Sequence, residues 1–174
     1  MADARALFAE AEELLAHETE LRALPADLAW MHAALAHVRG ARVARTTARE
    51  LRALVLAKYV LCVLLALAPV ALAWASRAWW LALAAPLAFY AVEAQLVFLV
   101  HVVADGSAHP WRDARRRTVD AGGTLSVMAT VVPIAVFMLS EGLAGRGFVR
   151  SWLTGCLATV LWYEHVRLRR GRAA

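Results

Sequence analysis

Four long apolar runs fill most of this chain after residue 54, at about 55–75, 78–103, 124–143 and 148–165. Each run is close to the ~20 residues that an α-helix needs to cross ~30 Å of hydrocarbon. The chain of 174 residues is 61% hydrophobic, well above the apolar share of an ordinary soluble domain. We therefore predict an all-α polytopic membrane protein whose residues 55–166 form a four-helix transmembrane bundle.

The distribution of arginine and lysine predicts the orientation of these four runs. Both residues are abundant before the first run, in the loop between the second and third runs, and in the tail 167–174. They are scarce in the other two connections. Because cytoplasmic loops carry the excess of Arg and Lys, both termini are predicted to be cytoplasmic, in the cell inner membrane.

The position of these cations also bears on binding partners. They flank membrane segments on one side, so a pI near 10 indicates contact with lipid, and we expect no nucleic-acid partner. Anionic headgroups are the natural partners of the arginines in the central loop. The predicted lipid-headgroup residues are Arg112, Arg115, Arg116 and Arg117.

Residues 1–54 are predicted to form a cytoplasmic amphipathic helical region. Leu7, Leu14 and Leu21 recur every seven residues, a spacing that places them on one helical face. Pro25 should end the first helix, which favours a hairpin of an acidic and a basic helix over one continuous coiled coil. The leucine face could also pair two copies, so we expect a protein partner or a homo-oligomer through these leucines.

The second helix of this hairpin is expected to continue directly into the first membrane run. Residues 41–75 contain no strong helix breaker before Pro69. A movement of the hairpin would then be transmitted to the bundle.

Glu93 is the most informative single residue, because an ionisable group inside a membrane segment is costly and marks a functional candidate. No Arg or Lys is expected at its depth, in the inner half of the bilayer. A protonated Glu93 that only ties two helices together is the structural alternative. The expected hydrogen-bond partners are the polar residues of the neighbouring runs, Gln95, Ser126, Thr130 and Thr159.

Two further polar residues follow Glu93 at helical spacing. His101 and Asp105 share a helical face with it if the helix continues, which predicts a polar stripe open to the cytoplasm. Such a stripe could carry protons, admit a ligand, or form an acid/base pair in which Asp105 orients His101. Interfacial capping is the structural alternative. A metal site is a further alternative, with His101, Asp105, His109 and His165 as its ligands.

The sequence excludes several enzyme classes and identifies no cofactor. Asp105-Gly106-Ser107-Ala108 resembles the opening of the CDP-alcohol phosphotransferase signature, but His109-Pro110 replaces its Ala-Arg and its other aspartates are missing. The six scattered histidines do not match a histidine-box oxygenase. Two hypotheses remain: a non-enzymatic membrane partner or scaffold acting through the N-terminal helices, and a small membrane enzyme or transporter using Glu93, His101 and Asp105.

Overall fold

We describe residues 2–24, 28–40 and 48–173 of a computed structural model, and all regular secondary structure in this part of the chain is helical, without a strand. Pro25 lies outside the described residues. A 3-10 helix, Trp79–Ala84, and a π-helical turn, Gly142–Arg146, lead into or out of the longer helices. The α-helices are α1 Ala4–His17, α2 Thr19–Ala23, α3 Leu28–Arg39, α4 Ala48–Ser76, α5 Ala85–Leu96, α6 Leu99–Ala104, α7 Pro110–Asp120, α8 Gly123–Glu141 and α9 Phe148–Ala173.

Among the described residues, three helical stretches are long and apolar enough to cross a membrane, which supports the predicted membrane location. They are Arg49–Ser76, Trp79–Ala104 and Gly123–Gly145. The fourth predicted segment corresponds to the first part of α9, which is not among the three. α9 lies at the centre of the protein, where it packs against α1, α3, α7 and α8, and most of its side chains between 151 and 166 are buried.

The second apolar run is divided between two environments. Its first part, through the 3-10 helix and most of α5, exposes apolar side chains, whereas residues 96–104 are all buried by protein. The helix breaks at Val97 and Phe98. Thr118 of α7 donates a hydrogen bond to the Ala94 carbonyl at 2.9 Å, with the Gln95 carbonyl at 3.2 Å, so it supplies partners where the helical ladder stops. The continuous polar face assumed for this run is therefore interrupted.

The N-terminal helices pack on α9 from two sides. α1 buries its apolar face against α8 and α9, while α3 contacts α4, α6 and α9. α2 and α3 are linked by Trp30, whose indole N–H donates to the Leu21 carbonyl at 2.8 Å. His37 near the end of α3 lies 3.3 Å from Glu18. The end of α1 therefore lies beside the end of α3, and both helices pack on α9.

The expected continuity of α3 with α4 is wrong. α3 ends at Arg39, and Gly40 follows with φ +59°, the left-handed conformation that glycine supplies at helix C-termini. A new helix begins at Ala48. The absence of proline before residue 69 was a poor guide, because a glycine can end a helix as effectively.

α4 stands at one side of the bundle. Its main contacts are with α5 and the 3-10 helix before it, α5 packs in turn on α8, and α8 packs on α9. Within the described residues, α4 and α9 share almost no close backbone contact. Only 11% of the most apolar part of α4 is buried inside the protein. The separation of α4 from α9 leaves room for a cavity between the two helices.

Candidate functional site

Glu93 forms an ion pair with Lys58, the chain's single lysine. Lys58 Nζ lies 2.7 Å from Glu93 Oε1, and both side chains are largely buried, at 7% and 13% exposure. The Cys62 thiol lies 3.9 Å from the other carboxylate oxygen. The expectation that no cation shares the depth of Glu93 is therefore wrong, because Lys58 lies one turn inside the first apolar run, 55–75, and its side chain reaches α5.

The predicted hydrogen-bond partners of Glu93 bond elsewhere. The Gln95 amide donates to the Thr124 hydroxyl, joining α5 to the start of α8. Ser126, Thr130 and Thr159 donate to backbone carbonyls. Thr130 and Thr159 bond within their own helices, as polar side chains in apolar surroundings commonly do. Ser126 bonds to the Ala121 carbonyl before α8, and Thr130 also reaches the Ala2 carbonyl.

The Lys58–Glu93 pair lines a cavity of about 490 Å³ between α4, α5, α8 and α9. The cavity extends from Met31 and Val55 at one end to Phe89, Met138 and Trp152 at the other. Its lining is predominantly apolar, and the ion pair is its only full charge among the described residues. A mainly apolar cavity with one polar feature is the usual form of a small-molecule site.

His101 lies in a different place, in the core between α6 and α9. It is 1% exposed, and neither ring nitrogen has a hydrogen-bond partner among the described residues. Its ring stacks on Tyr163 with centroids 5.0 Å apart and lies edge-on to Phe98 at 6.2 Å. Asp105 does not accept a hydrogen bond from either nitrogen, so the predicted acid/base pair does not form in this arrangement.

Asp105 belongs instead to a group of paired charges that we call the clasp, formed by Arg39, Asp105, Tyr163, Glu164 and Arg167. Arg39 Nη1 lies 2.5 Å from Asp105, and its other nitrogens lie 2.6 and 2.8 Å from Glu164. Tyr163 donates its hydroxyl proton to Asp105, and Arg167 binds Glu164 at 2.7 Å. The clasp therefore joins α3, the end of α6 and α9.

The ionisation of the clasp follows from these contacts. Burial alone would raise the pKa of Asp105, but the hydrogen bonds from Arg39 and Tyr163 outweigh it and hold that pKa below its ordinary value. Burial would lower the pKa of Arg39, and the hydrogen bonds to Asp105 and Glu164 reverse the effect and raise it. Both charges are therefore fixed at neutral pH.

Glu93 and Asp105 therefore belong to two separate polar centres, the Lys58–Glu93 cavity and the clasp. No protein-family model, curated protein or solved structure matches this chain. Its function must therefore be inferred from the geometry and chemistry of these side chains. Sequence reasoning gave no site role to Lys58, Arg39 or Tyr163. The one available signal was the occurrence of a lone lysine inside an apolar run, opposite a lone glutamate.

The four weak metal candidates are not brought together. Within the described ranges, no three His, Cys, Asp or Glu side chains could hold a metal ion. His109 caps the start of α7 and is exposed. His165 faces α1, where its Nε2 lies 3.8 Å from Glu10. His101 lies in the core and Asp105 in the clasp, so the four residues lie in four separate surroundings.

The predicted lipid-headgroup arginines all lie on α7, but they differ in their surroundings. Arg112 and Arg115 are exposed and line no described cavity. Arg116 and Arg117 line a cavity of about 270 Å³ together with Asp105, Ser107, Asp113 and Tyr163. Arg117 also lies over the Tyr163 ring, 5.7 Å from its centroid, and 3.9 Å from Asp120.

The predicted partner-binding leucines lie mainly inside the protein. Leu7 and Leu21 are 4% and 2% exposed and belong to the hydrophobic core. Leu14 is partly buried, beside a shallow pocket lined by Glu10, Glu13 and His17. A role for this face in binding another protein stays a prediction, and only Leu14 offers accessible surface for it.

Proposed function

We propose that this chain is a multi-pass membrane protein that binds a long-chain amphiphile with a small uncharged head in the Lys58–Glu93 cavity. One observation carries the proposal: a buried ion pair at the wall of an otherwise apolar cavity of about 490 Å³. Burying a charged pair at such a place costs desolvation free energy. A ligand that hydrogen-bonds to both Lys58 and Glu93 would give the pair a role in binding. Three of the helices around the cavity, α4, α5 and α8, belong to the apolar stretches suited to a bilayer.

The chemistry of the pair favours a neutral head. Lys58 offers ammonium N–H donors and Glu93 offers carboxylate acceptors, and their charges cancel locally. A hydroxyl or amide head donates to one partner and accepts from the other without adding a buried charge. The chain of such a ligand would extend past Tyr90 and Ile134 toward Trp152, along the apolar length of the cavity.

The proposal includes a topology. With α9 as a fourth crossing and the arginine-rich segments on the cytoplasmic side, both termini face the cytoplasm of the inner membrane. α9 tolerates its polar residues because other helices surround it. A tag fused after Ala174 should be inaccessible from outside intact cells. Labelling of that tag without permeabilisation would contradict the topology.

The binding proposal is tested with the full chain in lipid nanodiscs and a monoacylglycerol that carries a diazirine at the end of its acyl chain. Illumination should cross-link the chain end to the outer part of the cavity, near Met138 and Trp152. A fatty acid of equal length, which adds a negative charge, should cross-link several-fold less. Equal labelling along all lipid-facing helices would mean that there is no specific site.

Two adjacent positions on α8 give a matched control. Ala135 lines the cavity, whereas Val136 is 54% exposed on the helix surface and does not. Ala135→Phe should fill the cavity and abolish the specific cross-link, while Val136→Phe should leave it unchanged. If both variants cross-link like the native chain, the cavity is not the binding site.

A second candidate function is binding of a protein partner through α1. The observation that favours it is the partly accessible Leu14 beside Glu10, Glu13 and His17. Leu14→Glu should abolish association with a second copy or partner in a size measurement, without unfolding the chain. Association that persists in Leu14→Glu would remove this candidate.

A further inference from the structure

The cavity under α7 has the chemistry of a phospholipid-headgroup site. Arg116 and Arg117 supply guanidinium donors, and Ser107 and Asp113 face the same space of about 270 Å³. This volume is near the lower end of the range for small-molecule sites, about 300 Å³. Guanidinium groups bind phosphate oxygens with paired, charge-assisted hydrogen bonds.

The charges around this cavity are of both signs. Arg116 makes no hydrogen bond or ion pair with any described residue. The Arg117 guanidinium lies 3.9 Å from the Asp120 carboxylate, which is beyond hydrogen-bond distance. On the acidic side, both oxygens of Asp105 are occupied by Arg39 and Tyr163. Asp113 accepts one hydrogen bond, from Ser107 to Oδ2 at 2.6 Å. The cavity therefore offers free donors for an anion and, on Asp113, acceptor capacity for a cation.

The position of α7 favours a lipid over a soluble phosphate as the source of this headgroup. The last turn of α7 carries Val119, which is 70% exposed, and the first turn of α8 carries Leu125, which is 82% exposed. Apolar side chains this exposed are expected in contact with lipid. They lie where the stretch Gly123–Gly145, suited to a membrane, begins, so the cavity is at headgroup level.

We infer that Arg116, Arg117 and Asp113 bind the headgroup of an amine-bearing phospholipid, with the phosphate on the arginines and the ammonium on the aspartate. Arg112 and Arg115, on the same helix, contribute only unspecific attraction to the membrane surface. This site is separate from the Lys58–Glu93 cavity and does not depend on the function proposed for it.

The test compares two double variants that lose the same charge from the same helix. The full chain in detergent is titrated with phosphatidylethanolamine and followed by native mass spectrometry. Arg116→Gln/Arg117→Gln should weaken binding at least about tenfold, as expected for loss of charge-assisted hydrogen bonds. Arg112→Gln/Arg115→Gln should change it less than about twofold. Equal losses in both variants would overturn the site and leave only unspecific adsorption.

Two further arms keep the result decisive. Arg116→Gln alone, at an exposed residue without a partner, guards against misfolding of the double variant and should still weaken binding several-fold. Asp113→Asn should reduce the preference for phosphatidylethanolamine over phosphatidylglycerol, whose head lacks an ammonium group. Unchanged preference in Asp113→Asn would overturn the role of the amine. Soluble glycerophosphoethanolamine should compete only at much higher concentration than the lipid, and equal potency would overturn the lipid as its source.

Discussion

The clasp and the Lys58–Glu93 cavity each contain one residue of the set that the sequence spaces by multiples of four, Glu93, His101 and Asp105. Glu93 lies at the cavity and Asp105 in the clasp. In the clasp, Asp105 and Glu164 are bound by arginines from α3 and α9, and every carboxylate has a cationic partner. At the cavity, a single ion pair faces a large apolar space. The helix break at Val97 and Phe98 separates them. Residues that share a helical spacing in the sequence can therefore belong to a structural ion-pair network at one end and to a candidate ligand site at the other.

The largest expected effect is the loss of Lys58. Lys58→Met should lower the free energy of unfolding by about 3–5 kcal/mol, because a buried carboxylate loses its counter-charge. The double variant Lys58→Met/Glu93→Met should recover most of this loss. Thermal unfolding in detergent measures both. A double variant less stable than Lys58→Met would mean that the pair does not behave as a buried ion pair.

The clasp should respond to the loss of Arg39 by a smaller amount. Arg39→Met should cost up to about 3 kcal/mol, since Asp105 keeps Tyr163 and Glu164 keeps Arg167 as partners. Arg52→Met, on the exposed face of α4, is the control and should change stability by less than about 0.5 kcal/mol. Equal melting temperatures for the two variants would show that the clasp adds nothing to stability.

The packing of α9 on α8 beside the cavity gives the next prediction for the cavity region. A Cβ atom at Gly155 would lie 2.1 Å from Met138 Sδ and 2.4 Å from its Cγ, so Gly155→Ala should cost about 1–3 kcal/mol by overpacking. Met138→Ala should then cost less in the Gly155→Ala background than in the native chain. Additive losses in unfolding measurements would indicate that the two residues are not in tight contact.

The smallest expected effect is the acid sensitivity of the clasp. The folded-state pKa of Asp105 lies below the ordinary value of 3.8, so its ionised form stabilises the folded chain above that value. This contribution is lost as the pH falls through the lower folded-state pKa. Melting curves of native protein and Asp105→Asn should therefore converge below about pH 4. A difference in stability that is constant down to about pH 2 would contradict the assigned ionisation.

Part of the candidate site could be predicted from the sequence. Glu93 stood out because it lies in an apolar run, and a cavity does adjoin it. Lys58 could be noticed as a lone lysine in an apolar run, but its contact with Glu93 could not be predicted, since the two residues are 35 apart in sequence and meet only through the packing of α4 on α5. The pairing of Asp105 with His101 was expected from their spacing, and it failed because Arg39 and Tyr163 bind the carboxylate instead.

The sequence alone determined the helical class and the suitability of three long stretches for a membrane, because apolar length and composition are properties of a segment by itself. Tertiary structure decided which polar groups meet. Arg39 and Glu164 are 125 residues apart, and a local period contains no information on a contact between distant helices. The glycine after Arg39, the break before Leu99 and the packing around α9 bring these groups together.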